Sequence, residues 1–71
     1  MSMEISHFIA KEVRSRRKKM GLSQEELAFR SELNPKYIGM IERAERNITA
    51  KKLSQIVEVL ETTLSDFFKG L

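Results

Sequence analysis

The sequence predicts an all-α domain of five short helices, and three observations predict it. Apolar side chains recur at three-, four- and seven-residue steps, with no period-2 alternation of the kind a half-buried strand shows. Ser, Thr or Asn stands just ahead of four apolar runs, the position of a helix N-cap. Gly and Pro are confined to Gly21, Pro35, Gly39 and Gly70, with no repeat, linker or low-complexity tract.

The first helix is expected over about 4–19, with Ile5, Phe8, Ile9, Val13 and Met20 on one face. Gly21 suits the turn after it, where φ must be positive. Arg16, Arg17, Lys18 and Lys19 give its last turn the sign that complements the helix dipole. Ser23-Gln24-Glu25-Glu26 is a capping box that opens a second helix, about 23–30, with Leu27, Ala28 and Phe29 inward. After the joint Ser31-Glu32-Leu33, Asn34 caps a third helix and Pro35 takes its first position, where a missing N–H costs nothing. That helix is expected over about 35–43, with Ile38 and Ile41 inward. A loop over 44–48 leads to Thr49, which caps a fourth helix over about 50–61 with Leu53, Ile56, Val57 and Leu60 as its stripe. Thr63-Leu64-Ser65-Asp66 resembles a second capping box, opening a last helix that ends near Lys69, about 64–69.

Composition narrows the function. Seventy-one residues allow a single domain, 1–71, with a small core. There is no cysteine and one histidine, His7, which leaves little for a metal centre or a nucleophile–base pair and argues against an enzyme or a cofactor. The absence of cysteine, of an 18-residue apolar run and of a signal-peptide pattern predicts a soluble cytoplasmic protein with no membrane partner. The net charge of +3 is unevenly spread: residues 1–52 carry a net +5 and residues 53–71 a net −2. The positive part attracts polyanions.

The stretch from Gln24 to Ile41 carries the functional signal, within a unit spanning about 23–43. Two short helices crossing at a steep angle need a small residue where their backbones approach, and Ala28 supplies it. Leu33, Ile38 and Ile41 lock the second of them to the core, leaving Lys36, Tyr37, Gly39, Met40 and Arg43 facing outward. This is the spacing of a helix-turn-helix, whose second helix enters the DNA major groove.

The run Gly21-Leu22-Ser23-Gln24-Glu25-Glu26-Leu27-Ala28 strongly resembles phage repressor and Cro-type regulators. The run from Tyr37 to Thr49 is similar to the controller proteins of restriction–modification systems. The resemblance spans roughly residues 5–69 and implies a five-helix repressor-like domain. It also implies a homodimer on a partly palindromic operator, acting as a sequence-specific transcriptional regulator. An antitoxin, or a helical interaction adaptor with a degenerate DNA face, ranks behind it. Two positions depart from the family: Glu32 stands where Gly or Asn is usual at a positive φ, and Gly39 where controllers place a polar residue such as serine.

Roles follow for particular residues. Lys36 and Tyr37 lie at the end of the third helix that reaches base edges, with Lys36 able to donate to guanine and Met40 to pack on a thymine methyl. Gln24 resembles the family's phosphate-clamping glutamine. Arg43, Arg46, Asn47, Lys51 and Lys52 surround the following loop as further DNA contacts. Arg14, Arg16, Lys18 and Lys19 are assigned a general field. The resemblance pairs Arg17 with Glu42 as a structural ion pair. One of Phe67 and Phe68 closes the core; Leu64, Phe68 and Leu71 are assigned to the dimer contact, on an acidic end kept from DNA. An activator would need RNA polymerase as a further partner, through Glu25 or Glu32.

Overall fold

A computed structural model describes the backbone of residues 2–71 and the side chains from residue 4 onward. It holds α1 (Ser2–Lys19), α2 (Gln24–Ser31), α3 (Pro35–Glu42), α4 (Ala50–Val59) and α5 (Leu64–Phe67), and no strand among the described residues. α1 begins two residues before the expected boundary, α3 stops one residue short and α4 two. α5 is a single turn that ends at Phe67 and not near Lys69. No described helix is long and apolar enough to cross a membrane.

The N-caps are local chemistry. Ser23 Oγ accepts the Glu26 N–H at 3.0 Å while Glu26 Oε1 accepts the Ser23 N–H at 2.8 Å, a box closed in both directions. The Ser23 backbone N–H, and after it the Ser23 hydroxyl, hold the Glu26 carboxyl below its ordinary range. Asn34, Thr49 and Thr63 accept the N–H groups of Lys36, Lys52 and Asp66.

The C-terminal ends of α1 to α4 share one solution. At each, one residue takes the left-handed conformation: Gly21 (φ 72°), Glu32 (61°), Ala44 (57°) and Glu61 (59°). The next N–H reaches back five residues in the Schellman pattern, from Leu22 to Arg17, Leu33 to Ala28, Glu45 to Met40 and Thr62 to Val57, at 2.8–3.1 Å. The early end of α4 follows from Glu61: a left-handed residue cannot continue a right-handed helix.

Val13, Leu27, Ile38, Ile41, Ile56 and Phe67 are almost wholly enclosed and define the core. Ala28 is fully buried, in the helix that packs most extensively on α3. Ser31 ties α2 to α4, because its carbonyl accepts Gln55 Nε2 at 2.8 Å. Phe67 closes the core, whereas Phe68 is half-buried and stacks on Phe8 with ring centroids 5.9 Å apart. Phe29 does not face inward: it is 84% exposed, one helical step beyond the buried pair Leu27 and Ala28. Ile5 is likewise exposed.

Glu32, Ala44 and Glu61 each carry a Cβ in a conformation that costs a non-glycine residue roughly 1–2 kcal/mol. Glycine's larger unfolded-state entropy offsets part of the relief. Glu32→Gly, Ala44→Gly and Glu61→Gly are each expected to stabilise the fold by up to about 1 kcal/mol in denaturant unfolding. Glu58→Gly, inside α4, should instead destabilise by about 1 kcal/mol. A loss at all four positions would contradict the strain at the helix ends.

Candidate nucleic-acid interface

The recognition end of the domain is built around Arg17, which is 8% exposed. Its Nε and Nη2 donate to the two carboxylate oxygens of Glu42 at 2.7 and 2.9 Å, and its Nη1 donates to the Leu22 carbonyl at 2.8 Å. The planar fork of guanidinium fits this arrangement and an ammonium would not. The bonds to Glu42 hold the Arg17 pKa above its ordinary value, against the opposing effect of burial. Gln24 adds a further donor to Glu42, from Nε2 at 3.0 Å. One carboxylate therefore binds the end of α1, the start of α2 and the end of α3.

Gly39 lies beside this network and is buried, not outward as its place in the sequence suggests. A Cβ there would lie 3.0 Å from Arg43 Nη1 and 3.5 Å from Gln24 Oε1. The missing side chain is the space over which Arg43 folds back, while Arg43 Nε pairs with Glu45 at 3.0 Å. Gln24 and Arg43, two of the residues assigned to DNA, thus meet at one edge of α3.

The other edge of α3 is an open groove lined by Leu33, Asn34, Lys36, Tyr37, Met40, Arg46 and Lys52. Lys36 and Arg46 are exposed, and Met40 is half-buried. Tyr37 is not an outward side chain, since it is 9% exposed and packed into the core cluster. Burial pushes its phenol pKa up, against the Arg46 charge and a hydrogen bond with the Thr49 backbone. The neutral ring carries Lys52 Nζ at 4.6 Å and the Arg46 guanidinium carbon at 5.5 Å from its centroid. Each contact of this kind contributes roughly 0.5–1 kcal/mol at an exposed site. Tyr37 is thus a platform that holds two cations over the groove.

Asn47 is exposed and accepts the Ser6 hydroxyl at 3.3 Å, which anchors the loop to α1. Lys51 is exposed and lies outside the groove lining. Asn34 is present in the groove although the sequence marks it only as a cap. Its signal was its place two residues before Lys36, at the entrance of the recognition helix.

The helix starts divide by charge. α1, α2 and α5 carry acids in their first turns, the sign the dipole favours. α3 and α4 carry none there, and Lys36, Lys51 and Lys52 follow their caps instead. Positive side chains therefore stand on positive helix ends beside one groove, an arrangement that an anion relieves.

Residues 13–67 match the pattern of the helix-turn-helix family. The chain belongs to this family. It is 44% identical to the control protein C.SmaI of Serratia marcescens over 62 residues, 87% of this chain and 74% of that one. Its fold matches the restriction–modification controller C.AhdI of Aeromonas hydrophila with a TM-score of 0.87 at 31% identity, over 92% of this chain and 98% of that one. The controller C.Esp1396I, solved as a tetramer with its natural 35-base-pair operator, matches with a TM-score of 0.84 at 35% identity, over 92% and 86% of the two chains. The helix-turn-helix chain is a homologue of the controllers and, like them, a DNA-binding transcriptional regulator.

The ion pair beneath the interface sets a measurable coupling. Glu42→Leu alone leaves Arg17 buried without its partner and should lower the unfolding free energy by about 3–5 kcal/mol. Arg17→Met alone should do the same from the other side. The double variant should recover much of either loss, because two apolar side chains of similar volume leave no unpaired charge. Additive losses in a double-mutant cycle would contradict a coupled pair.

Proposed function

We propose that the protein binds a partly palindromic operator as a homodimer, with α3 in the major groove, and controls genes as restriction–modification controllers do. The observation that carries this reading is the pair of helix starts, α3 and α4, that carry Lys36, Lys51 and Lys52 with no acid in their first turns, Lys36 and Lys52 lining one groove. Lys36 and Met40 are the side chains placed for base edges. Gln24, Arg43, Arg46, Asn47, Lys51 and Lys52 are assigned to the phosphates that fix register. Tyr37 acts through Arg46 and Lys52, holding both in place.

One small module reads too few bases to select an operator, so two half-sites about one helical turn apart are required. Leu64 (38% exposed) and Leu71 (65% exposed) flank the half-buried Phe68 and form the surface assigned to the two-fold contact. Phe29 stands fully in solvent four residues after Glu25 and three before Glu32, on one side of α2. That acidic-aromatic stripe is the surface assigned to RNA polymerase.

Binding to a duplex selected from a random pool should weaken linearly in log K against log salt, with a slope of about −0.9 per neutralised phosphate. Arg46→Ala should reduce affinity and flatten the slope. Arg16→Ala should change neither, because Arg16 pairs with Glu12 at 3.0 Å and packs over Phe67 at 5.6 Å, toward α5. Equal losses at the two positions would refute the loop as a contact surface.

The dimer has its own test. Leu64→Ala with Leu71→Ala removes exposed apolar surface and leaves the Phe8, Phe67 and Phe68 rings in place. The double variant should melt as the parent does, sediment as a monomer at micromolar concentration and lose operator affinity. A folded variant that stays dimeric would place the contact elsewhere.

A further inference from the structure

The basic run of α1 is not a uniform field. Arg17 is consumed by Glu42, and Arg16 turns to Glu12 and α5. Lys11, Arg14 and Lys18 instead fall on one stripe of α1, and with Arg43 and Ala44 they line a second open groove. All three are exposed, and among the described residues none of them is in an ion pair. The acid in this groove, Glu42, is already neutralised by the Arg17 fork. His7 stands at the far end of the same stripe.

Two features connect this groove to the DNA face. Arg43 belongs to both, since it folds over Gly39 beside Gln24 and also lines the groove. The stripe then leads away from α3 along α1. From Lys11 to Lys18 it runs seven residues, about 10.5 Å along the helix axis. Measured along the duplex axis, one DNA strand offers about three phosphates over that length. The groove is therefore a rail of matching charge and length that begins where the recognition surface ends.

We propose that Lys11, Arg14 and Lys18 take the DNA backbone outside the half-site, so that each protomer grips flanking phosphates of any sequence. This rests on the operator-binding reading above and adds an element of its own: affinity depends on duplex beyond the bases that are read. It assigns the flanking contact to residues of α1 that neither the turn nor the recognition helix contains.

The test compares two duplexes. One is selected from a random pool for binding to the full chain and trimmed to the bases it needs for recognition. The other is the same duplex extended by about one helical turn of unrelated sequence at each end. The parent should bind the extended duplex several-fold more tightly, with a salt slope steeper by about 0.9 for each flanking phosphate. Lys11→Gln with Arg14→Gln and Lys18→Gln should bind the trimmed duplex as the parent does and gain nothing from the extension. Its melting should match the parent's, because all three side chains are exposed. Equal loss on both duplexes would reduce the three cations to a general field and overturn the proposal. Equal gain from extension in parent and variant would overturn it too, as would no gain in the parent. Failure of the parent to select any duplex would instead sink the operator reading.

Discussion

Arg17 and Glu42 are the constraint on which the placement of the other recognition elements depends. Both are largely withdrawn from water, so each would be strongly destabilising alone. Together with the Leu22 carbonyl and the Gln24 amide, Arg17 donates three hydrogen bonds and Glu42 accepts three. The consequence is positional. α1, the first turn of α2 and the last turn of α3 meet at one carboxylate, so the angle of the recognition helix cannot change without breaking several charged hydrogen bonds. Apolar packing at Ile38 and Ile41 holds α3 down, but it does not fix rotation or sliding as a bidentate pair does.

The helix ends show the opposite kind of economy. A domain of this size has a stability of roughly 4–10 kcal/mol at the usual value per residue. Left-handed residues with a Cβ at Glu32, Ala44 and Glu61 use up a sizeable part of it. The Schellman bonds that follow each of them satisfy carbonyls that would otherwise be unpaired, and the abrupt reversals let five short helices share one core. Compactness is obtained by sharp turns, and glycine relieves the strain only at Gly21.

What could be read in the sequence was whatever local chemistry determines. Ser23, Asn34, Thr49 and Thr63 announce helix starts because a short polar side chain satisfies an amide within three residues. The enclosed stripe of α4 was legible because Leu53, Ile56, Val57 and Leu60 repeat over about two turns. Ala44 and Glu61 gave no such notice, since neither side chain favours the left-handed region and only the tertiary reversal demands it. Tyr37 and Gly39 were misread for a different reason. α3 spans only eight residues, and Tyr37, Ile38, Gly39 and Ile41 are all buried, so its inward arc is far wider than a narrow stripe. Phe29 was misread in the other direction: hydrophobicity alone suggested burial, while the position of Leu27 and Ala28 turned it to solvent. For the cations of α1, the sequence showed a cluster, and only the packing of α3 and α5 against it sorted Arg16, Arg17 and Lys18 to different neighbours.

Stability and recognition meet in the electrostatics of α3 and α4. A lysine in the first turn of a helix opposes the macrodipole by a few tenths of a kcal/mol, and an acid there would be favourable. The sequence places acids at that point in α1, α2 and α5, so the favourable choice is available to this chain and is used where the helix starts elsewhere. Its absence at the two starts beside the groove leaves unneutralised lysines and the cations held over Tyr37 together in one place. A phosphate at that place would face several of these cations at once. On the operator-binding reading, a DNA phosphate bound there also removes repulsion inside the fold, so binding and folding stability are linked: whatever the free domain loses at these helix starts, the bound domain regains.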